Sequence, residues 1–127
     1  MPLVNPPEWG KTISEATHGT IEYQDSHYAA FTGRLTLEGL EPNKQYRLTL
    51  NGKPGLDGNE LLPTPVPGLP DELFYDFMDI ETDEQGRFQA KLGVMLKSGD
   101  YHVRIYVKDT DDWKIVLYRD YFRFTVR

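Results

Sequence analysis

From Gly99 to Asp109 apolar and polar residues alternate without a fault. Tyr101, Val103, Ile105 and Val107 fall on one side, and His102, Arg104, Tyr106 and Lys108 on the other. Successive side chains of an extended chain point to opposite faces, so this period of two predicts a half-buried strand with a core row and a solvated row. The same pattern recurs along the chain. His18 to Gln24 places Gly19, Ile21 and Tyr23 together. Ala29 to Glu38 has Phe31, Gly33, Leu35 and Leu37 inside and Thr32, Arg34, Thr36 and Glu38 outside. Gln45 to Asn51 has Tyr46, Leu48 and Leu50 inside, with Arg47 and Thr49 outside. Arg87 to Leu92 buries Phe88, Ala90 and Leu92. In Leu73 to Thr82 both rows carry aromatics: Phe74, Met78 and Ile80 suit the core, leaving Tyr75 and Phe77 outward. Trp113 to Tyr118 and Tyr121 to Val126 read as one long last strand. Arg119-Asp120 lacks the residues of a tight hairpin and is read as a bulge.

Turn residues separate these runs. Gly39 to Lys44, Asn51-Gly52, Asp83 to Gly86, Leu96 to Asp100 and Asp109 to Asp112 break the pattern every 8–12 residues, a spacing that reads as an antiparallel sandwich. Two stretches stand apart. Residues 1–10 hold three prolines and a Trp-Gly pair, which predicts an extended N-terminal arm that Trp9 pins to the domain. Lys11 to Ala16 is open between a short strand and irregular chain. Residues 52–72 hold five prolines and four glycines, a density of breakers that predicts a stiff loop without regular structure. No helix is predicted.

The expected architecture is therefore an all-β, antiparallel sandwich of seven to eight strands with a long proline-rich loop, forming one domain over 1–127. A chain of 127 residues buries about two-thirds of its unfolded surface, so its core requires no staple. Cysteine is absent, which removes disulfides, thiolate metal sites and a cysteine nucleophile together.

Leu40-Glu41-Pro42-Asn43-Lys44-Gln45-Tyr46 places a tyrosine four residues after a proline, at the opening of an alternating strand. This resembles the tyrosine corner of immunoglobulin-like and fibronectin type III-like sandwiches, where the phenol bonds backbone a few residues upstream. Leu96 to Tyr101 resembles a looser second copy, and Thr82 to Phe88 resembles the turn before it in bacterial sandwich domains. The resemblance spans about residues 29–126. It implies a fold and, since fold does not imply function, no activity.

A net charge of −6, with basic residues interleaved among acidic ones, argues against a nucleic-acid partner. No apolar run approaches the ~20 residues of a membrane span, so no membrane insertion is expected. The N-terminus lacks the basic and apolar regions of a signal peptide; a soluble chain is expected, with its compartment left open.

For chemistry, Asp109, Asp111 and Asp112, with Asp83 and Glu84, offer hard oxygens of the kind Ca²⁺ takes, though such residues are also ordinary in turns. They are the weak metal candidates; no cofactor is expected. His18, His27 and His102 lie in separate segments without metal-ligand spacing. Ser14, Ser26 and Ser98 sit in no nucleophile elbow, and Asp76, Asp79, Glu81 and Asp83 read as solvated strand carboxylates, so an enzyme is not expected. The outward aromatics are more informative: Tyr75, Phe77, Tyr106, Tyr118 and Tyr121, with Trp9 and Trp113 nearby. Beside them Pro63, Pro65 and Pro67 offer a preformed extended surface, or a cover that seals those aromatics. The expectation is a non-catalytic interaction or structural module contacting a protein through Tyr75, Phe77, Trp113 and the three prolines. The alternative is a carbohydrate-binding module, calcium-assisted or not. Open sheet edges also give a route to a homo-oligomer, without the sequence singling out one edge.

Overall fold

The computed structural model describes residues 1–24, 26–27, 30–52, 65–66 and 69–127, with the backbone alone for 26–27, 65–66 and 69–76. Among the described residues there are ten strands and no helix: β1 (Pro2–Leu3), β2 (His18–Tyr23), β3 (Ser26–His27), β4 (Ala30–Glu38), β5 (Gln45–Gly52), β6 (Pro65–Val66), β7 (Leu69–Glu81), β8 (Phe88–Met95), β9 (Gly99–Asp109) and β10 (Ile115–Val126). They form a four-stranded sheet, β1-β2-β4-β8, and a six-stranded sheet, β3-β10-β9-β5-β7-β6. Seven strands exceed two residues, and these are the ones the alternation predicts. Every pairing is antiparallel except β3 against β10, a two-residue parallel addition that the sequence pattern does not announce.

The predicted inner rows are the core. Ile21, Phe31, Leu35, Leu37, Leu92 and Val94 from one sheet face Tyr46, Leu48, Leu50, Tyr101, Val103, Ile105, Val107, Phe122 and Phe124 from the other, all buried. Full burial of each such side chain is worth about 1.5–3 kcal/mol, which is why the alternation alone specifies the register of the strands. β10 carries its bulge where the sequence places it: Arg119 opposes Ile105 and Phe122 opposes Val103, so β10 has one extra residue there. Without that residue Phe122, Phe124 and Val126 would turn outward.

The connections between the sheets are clamped at both ends. The Tyr46 hydroxyl accepts a bond from the Glu41 N–H at 3.1 Å, the geometry its sequence context suggested. The Tyr101 hydroxyl donates to the Lys97 carbonyl at 2.5 Å. Burial pushes the pKa of both phenols up. Thr82 is buried and joins the β4–β5 corner to the end of β7: its hydroxyl donates to the Glu41 carbonyl at 2.6 Å and accepts from the Lys44 N–H at 3.0 Å. Gly86 has φ +72° and lies under the Leu40 carbonyl, so this turn has no room for a β-carbon.

Several expectations need correction. The 52–72 stretch is not wholly irregular, since β6 and the first residues of β7 fall within it. Pro65 lies on an edge strand, where proline is best tolerated, and among the described residues the β5–β7 pairing starts at Leu73, so Pro70 has no ladder partner on the β5 side. Residues 53–64, 67 and 68, and Ala29, lie outside the described residues. The N-terminal arm is extended, but it is built into the sandwich. β1 pairs with β2, Leu3 is 1% exposed in the core, and Val4 exchanges two 3.0 Å bonds with Tyr118 of the other sheet. Lys11 to Ala16 forms bends and turns. The last strand begins at Ile115, with Trp113 in the turn before it at φ 60°. The outer row of β5 and β9 is not simply solvated: Thr49, Asn51 and Tyr106 are buried.

The clamp makes a direct prediction. Gly86→Ala forces a positive φ and a clash with backbone, and should lower stability by at least about 2 kcal/mol. Gly93→Ala, on an open strand surface, should be neutral or stabilising by about 0.5–1 kcal/mol. Urea unfolding of the two variants beside the parent checks both, and equal midpoints for the pair would refute this account of the turn.

Candidate functional site

The outer face of the six-stranded sheet carries the aromatics that the core did not use. Arg47 on β5 stands at its centre. It lies opposite Asp79 of β7, and its Nε and Nη2 donate to the two carboxylate oxygens at 2.7 and 3.3 Å. This fork fixes the plane of the guanidinium. Phe77, two residues along β7, lies under it with its centroid 4.1 Å from the guanidinium carbon. The Trp113 ring stands 5.0 Å from that carbon. Phe77 and Trp113 remain 44% and 52% exposed, so the stack of two rings about a cation meets solvent.

Trp113 arrives there through an unusual turn. Its N–H donates to the Asp109 carbonyl at 2.7 Å, and the Asp109 N–H to the Lys114 carbonyl at 2.9 Å, which closes the β9–β10 connection with Trp113 in the left-handed region. A bulky residue is uncommon at such a φ and costs on the order of 1–2 kcal/mol there. That cost is a reason to look for a role for the side chain.

A second aromatic group lies on the same face. Trp9 meets Tyr118 and Tyr106 edge-on, with centroids 5.1 and 6.1 Å apart, and Arg104 donates to the Tyr106 hydroxyl at 2.8 Å. The arm therefore covers part of the β9–β10 half of the face, over Tyr106 and Tyr118, while Phe77 and Trp113 stay exposed. On the β9–β10 half Arg104 also lies over Tyr121, 4.3 Å from its centroid.

Of the residues expected at a binding surface, Phe77 and Trp113 are brought together. Pro63 and Pro67 lie outside the described residues. Pro65 is on β6 at the edge of this sheet, and Tyr75 is on β7, with neither side chain described. Arg47 was missed at the centre of the group. It reads as an ordinary outward residue because its ring partners lie far off in sequence, on β7 and in the β9–β10 turn.

The acidic turn is a different structure from the one its composition suggests. Asp109 is fully buried, and its Oδ2 receives the ammonium groups of Lys11 at 2.5 Å and Lys44 at 3.1 Å. Lys11 also reaches Asp112 at 2.8 Å, and Lys44 reaches Asp111 at 2.7 Å and Glu41 at 3.1 Å. The carboxylates considered for Ca²⁺ thus hold two ammonium groups. Burial by itself raises the Asp109 pKa, but the bonds from Lys11, the Asp111 N–H and Lys44 outweigh it and hold the carboxyl below its usual range. The Lys11 bond and the Lys114 N–H do the same for Asp112. Lys11 is raised by its bonds to Asp109 and Asp112, and Lys44 is raised mainly by its bond to Asp111, against a desolvation that lowers it. Asp83 is lowered by the N–H groups of Arg87 and Gln85, which it caps.

His18 lies 3.2 Å from Glu38 on one sheet and His102 lies against Tyr121 on the other; the side chain of His27 is outside the described residues. Among the described residues no group of three or more His, Asp or Glu is arranged to hold a metal ion. None of them forms a helix long and apolar enough to cross a membrane.

No family model matches this sequence, and no curated protein matches it. Among solved structures it is similar to a β-glucosidase from Listeria innocua in complex with glucose, at 8% identity and a TM-score of 0.41. The alignment covers 87% of this chain and 16% of that one, so the chain spans less than a fifth of the enzyme's length. A likeness at that level carries no argument about activity.

The ion network predicts how stability follows pH. The Asp109 and Asp112 carboxyls titrate lower in the folded chain, so their contribution is complete above the unfolded value of about 4 and is lost as pH falls through the folded values. Lys11 and Lys44 titrate higher in the folded chain, so theirs is complete below the unfolded value of about 10.4 and is lost as pH rises beyond it. Urea midpoints should therefore be flat between those limits. Asp109→Asn should flatten the acid limb and lower the plateau by about 3 kcal/mol, the cost of stranding charges around a broken buried pair. An unchanged acid limb in that variant would contradict the role given to Asp109. Because these carboxylates already hold ammonium groups, melting curves in excess Ca²⁺ and in chelator should coincide; a rise in Tm with Ca²⁺ would show a site of useful affinity.

Proposed function

We propose that this chain is a non-catalytic interaction module of the immunoglobulin-like, fibronectin type III-like kind, and that it binds a protein partner through Phe77, Arg47 and Trp113. Topology supports the family part of the reading. Numbered along the chain, the seven long strands lie in the orders first-second-fifth and seventh-sixth-third-fourth. This is the antibody constant-domain plan with one change, the fourth strand beside the third instead of the fifth. Tyr101 stands at the start of the sixth long strand, where that family places its tyrosine corner, so Tyr101 is the better match and Tyr46 the additional one.

The observation that carries the binding part is the exposed stack itself. Aromatic residues and arginine supply most of the energy at protein interfaces, and they do so from rigid, central positions. Here two strands and a closed turn hold the rings, and Asp79 holds the guanidinium. Little side-chain freedom remains to be lost on binding. Glycan binding at the same place is the second reading, favoured by the two exposed rings; a neutral polyol with an apolar face suits an arginine already neutralised by Asp79.

The test is a paired screen. The parent and an Arg47→Ala/Phe77→Ala variant, both checked for folding, are applied to protein arrays and to glycan arrays. Protein ligands should be retained by the parent and weakened about thirty-fold in the variant, a loss of about 2 kcal/mol. In a Trp9→Phe background Trp113 is the single tryptophan, so its emission should change as such a ligand is titrated in. Glycan ligands with the same sensitivity would transfer the site to the second reading. Ligands indifferent to the variant, or none in either screen, would overturn the proposed surface.

A further inference from the structure

The last strand of a sheet carries a row of unpaired N–H and C=O groups, and stable proteins blunt such edges. Among the described residues, three of the four edge strands are short. β1, β3 and β6 are two residues long, and β1 and β6 contain Pro2 and Pro65. β8 is built otherwise. It runs eight residues, pairs with β4 from end to end without a register shift, and holds no proline. Its single charge is Lys91. Among the described residues β4 is the only strand hydrogen-bonded to it. Its outer row of Gln89, Lys91, Gly93 and Met95 is exposed, Met95 by 72%. A β-carbon added at Gly93 would meet no atom within 4 Å.

We infer that β8 pairs antiparallel with β8 of a second copy, about a two-fold axis through Leu92, so that two four-stranded sheets become one continuous sheet. The occupant and the register follow from the strand's own sequence. An axis normal to the sheet keeps the inner rows of both copies on one side. Two registers then use the strand most fully, with the axis at residue 91 or at residue 92. The first sets Lys91 directly against Lys91 of the second copy, and like charges directly opposite oppose pairing. The second sets Lys91 against Gly93, Gln89 against Met95, Ala90 against Val94, and Leu92 against itself. The lysine stem then lies across the one position with no side chain, and Met95 covers the methylenes of Gln89. The lone edge charge, a device against pairing in general, here excludes one register and leaves the other open.

This inference is independent of the ligand surface on the other sheet. Its test uses Gly93, where either sign of charge fits without strain in the monomer. Sedimentation equilibrium from micromolar to millimolar protein should show a monomer–dimer equilibrium for the parent. Gly93→Glu places a carboxylate opposite Lys91 twice per dimer, and Gly93→Lys places an ammonium there twice. The dissociation constant should fall in the first and rise in the second, by about two- to thirty-fold each. Adding Lys91→Glu to Gly93→Lys should restore association. Backbone amides of β8 should gain exchange protection with concentration, and in the same order among the variants. Monomers throughout for the parent and Gly93→Glu would overturn the inference. So would one common dissociation constant for all four chains, which would place the contact on another surface.

Discussion

A carboxylate with no exposed surface must be matched, and the matching of Asp109 fixes one end of this molecule. Its partners come from three connections: Lys11 from the N-terminal arm, Lys44 from the β4–β5 corner, and the Asp111 N–H from its own turn. Each approach is thereby set to within a hydrogen bond. A buried ion pair is weak evidence for net stability, because desolvating the charges offsets much of their attraction. What this one supplies is position. The arm must cross from the four-stranded to the six-stranded sheet to bring Lys11 in, and in crossing it lays Trp9 over Tyr106 and Tyr118. The turn must close tightly to present Asp109, and in closing it swings Trp113 out toward Arg47.

The second constraint sits beside the first. β4 leaves one sheet for the other at Leu40 to Lys44, and β7 returns the chain at Thr82 to Gly86. The two crossings are bonded to each other: Leu40 N–H to the Gly86 carbonyl at 3.1 Å, Asn43 N–H to the Asp83 carbonyl at 3.0 Å, and Thr82 between them. Backbone groups that neither sheet can satisfy are satisfied here. Lys44 belongs to both assemblies, so the corner and the ion network set the relation of the two sheets together. Arg47 and Asp79 each lie three residues inside this end, on neighbouring strands, which is why their fork is well aligned.

The strands and the core were legible because one face of each strand is buried and the period is two. Even the β10 bulge could be read, from two polar residues that make a poor hairpin. Asp109 was legible too, though composition obscures it: it falls on the same row as Tyr101, Val103, Ile105 and Val107. A charge that continues a core row signals a buried ion in search of partners, but taken with Asp111 and Asp112 it looks like an acidic turn. The partners themselves, Lys11 and Lys44, are set by tertiary approach and leave no local pattern. The same holds for the candidate surface. Phe77 can be listed as outward from alternation and Trp113 as an aromatic near a loop, while their meeting about Arg47 depends on strand order. Burial of Tyr106 and Thr49 on a nominally wet row likewise depends on what the rest of the chain lays over them. Proline density misled at β6 and β7 because a breaker breaks only a strand that needs its N–H, and position in the sheet decides that.

The two proposed surfaces bear on each other through symmetry. β8 is an edge of one sheet, and the Phe77–Arg47–Trp113 group lies on the outer face of the other. Pairing at β8 therefore covers none of that group. A two-fold axis normal to the joined sheet also leaves the outer faces of both six-stranded sheets on the same side of the dimer. Two ligand surfaces then face one way, held by a rigid sheet in place of a linker. Against a partner that displays repeated sites, the second contact becomes intramolecular, and overall affinity can exceed that of a single surface by orders of magnitude without a new contact. A weak edge dimer and a modest single site are sufficient for this. The partner's own spacing would then decide between one-site and two-site engagement, because a rigid pair binds twice only where the sites match its separation.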